Sequence, residues 1–276
     1  MPRTISFWFE YASPYSMITA LRLFHAISQK AAPAAASRGL PSCEVPSLDG
    51  VRVVYRPIFL GAVFKAVGQQ FLPNIQVPVK GSYMFHDVSR ALTLLGCQGF
   101  PTAQPKGWPR NTALAGRMTW LLAQGPEYIS SLDKDQEQRG VVSSELEASQ
   151  TKVLSEFVWR VYEAEFIANE DIGDREVMSR LWDRFVVGES KANGDQVPDG
   201  KRAVELASAQ AVKDGFRANG DAAVEEGVFG APTFTTEDGD MYWGNDRLVE
   251  AVHHHEVCQK DGAFTGFCAK RRGANL

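Results

Sequence analysis

The stretch ISFWFEYASPYSMITALRLFHAI, Ile5 to Ile27, places a strand pattern directly against a helix pattern. Residues 4 to 9, TISFWF, are largely β-branched and aromatic, and they run into the pair Ser13-Pro14 and then into apolar residues at helical spacing. This order predicts the first half of a β-α-β unit. The next strand candidate is VRVVYR, residues 51 to 56, reached through an Ala/Pro/Ser-rich connection from about 30 to 50 that is expected to be a flexible loop. Two strands flanking one helix predict parallel pairing with a right-handed crossover.

From about 60 to 215 helical periodicity dominates, in MFHDVSRALTLLG, NTALAGRMTWLLAQ, KVLSEFVWRVYEAEFIAN and REVMSRLWDRFV. Two polar segments, about 131 to 149 and 188 to 202, are expected to loop out. Strand texture returns after Gly230: PTFTT, an Asp-Gly turn in EDGD, then MYW predict a hairpin. Asn245 or Asp246 is then expected to cap a last helix, DRLVEAVHHHEV. The expected architecture is therefore α/β, a thioredoxin-like frame made of residues 1–60 and 216–276 and split by an all-helical insertion at 61–215.

Composition narrows the function. The 276 residues are 44% hydrophobic, enough for a sizeable core, and 29 basic against 33 acidic side chains leave no excess to neutralise a phosphate backbone. Nucleic acid is not expected as a partner. Neither is a membrane, because no run approaches the roughly 18 apolar residues of a spanning helix. The N-terminus lacks a signal-peptide pattern, and Cys43, Cys97, Cys258 and Cys268 form no Cys-x-x-Cys pair. Reduced, structural thiols and a cytoplasmic location are the expectation, with a peroxisome or mitochondrion left open; the terminal Ala-Asn-Leu resembles a peroxisomal tripeptide only in its last residue. No metal site is expected: His253, His254 and His255 are adjacent, and neighbouring residues on a helix cannot converge on one ion.

Ser13-Pro14 reads two ways. Serine at an N-cap accepts a bond from an orphan N–H, and proline suits the first helical position, with no function required. Position adds a second role, since a strand ending at a helix N-terminus leaves backbone N–H groups and the positive end of a dipole where an anion or thiolate can be held. In GVFGAPTF, residues 227 to 234, Pro232 could open a strand, or Ala231-Pro232 could be a cis bond that offers the Ala231 backbone to a peptide-like ligand.

Several pieces together resemble a known family: FEYASPYS, YRPIFLGAVFKAVG, VKGSYMFHDVSRAL, WPRNTALAGRM, EDIGDREV, and GVFGAPTF followed by YWGNDRL. They are similar to the 2-hydroxychromene-2-carboxylate isomerase and kappa-class glutathione transferase group, in the DsbA-like branch of thioredoxin folds. The Trp243-Gly244 and Pro109-Arg110-Asn111 segments resemble the isomerase versions. The resemblance implies a glutathione cofactor, a cis proline, a serine in place of a nucleophilic cysteine, and a homodimer. Ser13 matches the serine that bonds the glutathione sulfur, and Ala231 precedes the cis Pro232. Asn245 and Asp246 match the pair holding the γ-glutamyl end, and Lys80 a lysine near the glycyl carboxylate, while Gln69 falls where the family often has Asn.

The activity so implied is isomerisation of an aromatic or enone-type small molecule by reversible thiolate addition, rotation and elimination, in a setting such as secondary metabolism. Lys65, Tyr83, Arg110 and Asn111 are the residues expected to face that substrate. Two alternatives stay open: a kappa-like conjugating transferase or peroxidase, and a redox-dead thioredoxin-like binding protein.

Overall fold

A computed structural model describes residues 2–31, 46–69, 73–97, 104–133, 148–193 and 197–254. The frame opens with β1 (Arg3–Phe9), α1 (Pro14–Ala31) and β2 (Val51–Pro57). Then come α2 (Leu60–Ala66), α3 (Pro73–Gln76), α4 (Pro78–Leu94), α5 (Ala113–Ala123) and α6 (Pro126–Asp133). Next are α7 (Ala148–Tyr162), α8 (Arg175–Trp182), α9 (Gly188–Asn193), α10 (Gly200–Leu206) and α11 (Gln210–Glu225). The chain closes with β3 (Thr233–Thr236), β4 (Met241–Trp243), a 3-10 turn at Asn245–Arg247 and α12 (Leu248–Val252).

The sheet order is β2-β1-β3-β4, with β1 parallel to β2 and antiparallel to β3. β1 is central because both of its faces are apolar: Phe7, Trp8 and Phe9 are fully buried. Alternation along the strand divides them. Phe7 stacks on Phe234 and joins the large core that runs from α1 into α5, α7 and α8. Trp8 points the other way, into a smaller cluster with Ile58, Val63, Ala223 and Val228 from around α2 and α11. There its indole N–H donates to Thr235 Oγ1 at 2.9 Å, and the Thr235 hydroxyl donates to Glu226 at 2.6 Å, so the Trp8 indole and the Thr235 hydroxyl are both matched. The Asp-Gly hairpin forms as expected, with Gly239 at φ 86° and the Thr236 N–H bonded to the Asp240 carbonyl.

Several local expectations are corrected. The described part of segment 188–202 is largely helical: α9 continues from the turn before it, and Asp199 caps α10 by accepting from Arg202 N at 2.8 Å. Gly200 lies so close to the Ser179 carbonyl of α8 that a Cβ would collide with backbone. The helical patterns through EAEFI and DRFVV end as π-helical turns at Glu163–Ile167 and Asp183–Val187. Neither Asn245 nor Asp246 caps the last helix; Gly244, at φ 118°, precedes the turn, and Arg247 stands before α12 without a side-chain cap. Cys97 is disulfide-bonded rather than reduced, and the other three cysteines lie outside the described residues. The expected loops near 30–50 and 131–149 fall mostly outside the described residues, although α1 extends to Ala31 and α6 to Asp133. α11 starts at Gln210, six residues before the expected domain boundary at 216. Among the described residues no helix is long and apolar enough to cross a membrane.

Candidate functional site

β1 reaches α1 through only four residues, Glu10 to Ser13, and this short passage fixes where the Ser13 hydroxyl goes. Ser13 is the N-cap: its carbonyl accepts from Met17 N, and its Oγ accepts from Ser16 N at 3.2 Å. The same Oγ donates to the Ala231 carbonyl at 3.1 Å. Ala231-Pro232 is a cis bond, and Ser13 is 8% exposed. Among the described residues the Ala231 N–H donates to no partner. The first turn of α1 carries no acidic residue, so nothing there offsets the positive end of the helix. With serine at 13 and at 16 the site holds no dithiol.

The second pair lies beside it. Gly244 N donates to the Pro232 carbonyl at 3.0 Å, which hangs the Asn245–Arg247 turn from the cis-proline strand. Arg22, buried in α1, donates through Nη1 to the Asn245 carbonyl at 2.8 Å and to Asn245 Oδ1 at 3.3 Å. Asp246 is largely exposed, with Arg247 Nε at 3.6 Å. Hydrogen bonds thus link Ser13 to Ala231, Pro232 to Gly244, and α1 to Asn245, which Asp246 follows.

The other expected residues belong to other parts of the chain. Gln69 follows the end of α2 with its N–H on the Phe64 carbonyl, and Lys65 is exposed in the last turn of that helix. Lys80 is exposed in the first turn of α4. Tyr83, 56% exposed, lies further along that helix with its hydroxyl 3.4 Å from Asp87 and Arg90 over its ring. Asp87 also accepts from the Tyr15 hydroxyl of α1 at 2.8 Å; burial and the neighbouring carboxylate push the Tyr15 phenol upward.

Arg110 is engaged by the protein itself: its Nη groups donate to Glu165 at 3.1 Å, to the carbonyls of Glu170, Lys106 and Asn169, and to Asn169 Oδ1. Its guanidinium is a structural clasp, for Glu165 is itself 1% exposed and burial pushes its carboxyl upward against the lowering effect of Arg110. Asn111 turns its Oδ1 to Ala113 N at 3.0 Å, which starts α5.

Three features were missed. Glu10 is buried, its carboxylate accepting from Leu60 N at 2.8 Å and Ala12 N at 3.3 Å, with desolvation pushing its pKa up. Trp108 precedes a second cis bond, to Pro109, and its indole N–H donates to the Ala12 carbonyl at 2.9 Å. The Trp-Pro dipeptide was the only available signal for it. Trp108 borders a cavity of about 590 Å³, lined also by Phe85, His86, Gln104 and Pro109. Arg22 is the third, a buried charge in an apolar helix pattern.

The chain belongs to the DSBA-like thioredoxin domain family, which it matches over residues 4–123 and 135–254. Its structure is similar to that of a 2-hydroxychromene-2-carboxylate isomerase, at a TM-score of 0.62 and 19% identity over 95% of this chain and 100% of that one. It is also similar to a putative protein disulfide isomerase from Nitrosomonas europaea, at 0.53 and 13% over 94% and 98%. A cytosolic disulfide reductase DsbM from Pseudomonas aeruginosa with GSH matches at 0.44 and 14% over 93% and 99%. No curated protein matches the sequence.

Proposed function

We propose that this protein is a glutathione-dependent isomerase of an aromatic or enone-type small molecule. One observation carries the reading: a serine hydroxyl, not a thiol, stands at the N-cap of α1, 3.1 Å from the carbonyl before a cis proline. Such a site cannot cycle a disulfide, and it suits a sulfur that arrives with a ligand.

The residues present fit glutathione. The Ala231 N–H, without a partner among the described residues, is a strand-like donor for the peptide backbone, and the exposed Asp246 carboxylate suits an ammonium. Asn245 suits the carboxylate of the same γ-glutamyl group, and Lys80 and Gln69 are proposed for the glycyl end. When bound, glutathione supplies a thiolate that can add to an electron-poor double bond and leave again, so that the bond rotates in between. Ser13 holds the proton that stabilises the sulfur, and the N-terminus of α1 favours its negative charge. We place the substrate's aromatic portion in the cavity beside Trp108, whose indole is bonded to the residue preceding Ser13. Lys65 and Tyr83 remain proposed for the rim of this region.

A second reading has its own observation. Phe229 and Trp243, 5.0 Å apart and both exposed, flank the cis-proline strand and would suit a redox-dead binding protein for extended peptides. Calorimetry separates the two: the enzyme reading expects glutathione to bind wild type and to bind Ser13→Ala and Asp246→Ala more weakly. Absence of binding to wild type at millimolar glutathione sinks it. Glutathione recovered after turnover of an enone panel marks an isomerase, whereas stoichiometric consumption marks a conjugating transferase.

A further inference from the structure

We propose that Arg22 is a positioning residue that makes the Gly244–Asp246 turn selective for an α-amino-acid zwitterion, an inference that rests on the glutathione reading above. Asn245 could present either its oxygen or its NH2 group to a ligand, and the two choices select opposite charges. Arg22 decides between them. It is buried within α1, and its Nη1 donates both to the Asn245 carbonyl at 2.8 Å and to Asn245 Oδ1 at 3.3 Å. The Thr19 hydroxyl, shared with the Tyr15 carbonyl, adds a longer contact to the same Oδ1 at 3.4 Å. A flipped amide would set N–H donors against the guanidinium donors, so the oxygen must face α1.

The NH2 group therefore faces away from α1, and among the described residues it donates to nothing. Next to it stands the exposed Asp246 carboxylate, whose Oδ1 lies against Gly244 where a Cβ would otherwise be. The backbone of the turn is held at both ends, by the Pro232 carbonyl on Gly244 N and by Arg22 on the Asn245 carbonyl. One oriented donor beside one exposed acceptor is the complement of a carboxylate beside an ammonium. Arg22 touches no ligand in this scheme; it acts only through Asn245.

The test compares glutathione with the analogue in which 4-aminobutyrate replaces the γ-glutamyl residue, which keeps the ammonium and lacks the α-carboxylate. Wild type is expected to prefer glutathione by about tenfold or more, the size of one hydrogen bond to a charged group. Arg22→Met is expected to bring the two affinities to within about threefold, and Arg22→Lys to retain part of the preference. Ser13→Ala should weaken both ligands alike. If Arg22→Met fails to fold, Asn245→Asp decides: it keeps an inward oxygen for Arg22 but turns an acceptor outward, and the analogue should then bind at least as well as glutathione.

Equal binding of both ligands by wild type, or a preference unchanged in Arg22→Met or Asn245→Asp, overturns the proposal. Should wild type bind neither, the glutathione reading fails by itself. Side-chain ¹⁵N relaxation of Asn245 then decides the positioning role: an ordered amide in wild type that becomes mobile in Arg22→Lys supports it, and an amide equally ordered in both overturns it.

Discussion

Replacing Ser13 by alanine removes two things that differ in kind. The hydroxyl accepts from Ser16 N at 3.2 Å as a cap and donates to the Ala231 carbonyl at 3.1 Å. Losing the cap costs about 1 kcal/mol and losing the buried donor about another 1 kcal/mol. At about 2–4 °C per kcal/mol for a chain of this size, Ser13→Ala should melt roughly 4–8 °C lower than wild type. The effect on a bound thiolate is smaller than a bare hydrogen-bond energy suggests. A hydroxyl has one proton, and here it is already given to Ala231, so a sulfur must draw it away. The gain is the difference between a bond to a charged group, about 1.5–3 kcal/mol, and one between neutral groups, about 0.5–1.5 kcal/mol. That leaves about 1–1.5 kcal/mol, or about one pK unit.

Titrating the ultraviolet absorbance of the bound glutathione thiolate should therefore show its apparent pKa about one unit higher in Ser13→Ala, nearer the free value of about 8.5. Ser13→Gly separates the two roles, because glycine caps nearly as well as serine. It should match Ser13→Ala in thiolate pKa while melting closer to wild type. An unchanged thiolate pKa in both variants, alongside the fall in melting temperature for alanine, would refute the reasoning and leave Ser13 as a cap alone.

Arg110→Ala should destabilise the fold by about 3 kcal/mol or more, because it strands the buried Glu165 carboxylate; chemical denaturation checks this, and an intact fold with only a raised KM would contradict it. Glu10→Gln tests the buried carboxyl next to the site. Its pKa is raised by burial, so wild-type stability from this group is fully present below the unfolded value and lost as pH rises through the folded one. The stability difference should thus move in favour of Glu10→Gln between about pH 4 and about pH 7, as measured by melting at both. Trp108→Phe removes the donor to Ala12 and should cost about 1 kcal/mol in denaturant unfolding, with no loss if the indole bond is immaterial. Gly200→Ala should lower the melting temperature markedly, since the clash is with the backbone of α8 and not with a movable side chain.

The frame was legible because its signals are local. TISFWF, VRVVYR, the Asp-Gly turn and the helical periods of α4, α5, α7 and α8 each depend on a few neighbouring residues, and each became the element expected. The cis Ala231-Pro232 was one of two readings of GVFGAPTF, and the structure takes it. What local pattern could not supply was direction. Arg110 and Asn111 look like free polar groups in WPRN, yet the guanidinium reaches Glu165, 55 residues on, and the amide starts its own helix. Arg22 and Asn245 are 223 positions apart, and only the packing of α1 against the turn makes them partners. Segment 188–202 looked like a loop because charges and glycines dominate it, but its Asp199 caps α10, and Asp183 from the preceding turn accepts from Gly200 N.

The helical insertion does more than fill space over one face of the sheet. It grips the four-residue passage between β1 and α1 from several sides: Tyr162 donates to the Glu10 carbonyl at 2.8 Å, Tyr11 bonds Thr119 of α5, and Trp108 donates to Ala12. Leu60 N, at the start of α2, holds the Glu10 carboxylate. A passage so short has few rotatable bonds, and with two of its carbonyls and two of its side chains held from outside it has few ways to relax. Ser13 is therefore placed by the insertion as much as by the strand and helix that flank it. This matters for a hydroxyl that must exchange one acceptor for another, because the small difference between two hydrogen bonds is useful only if the oxygen itself does not move when the sulfur arrives.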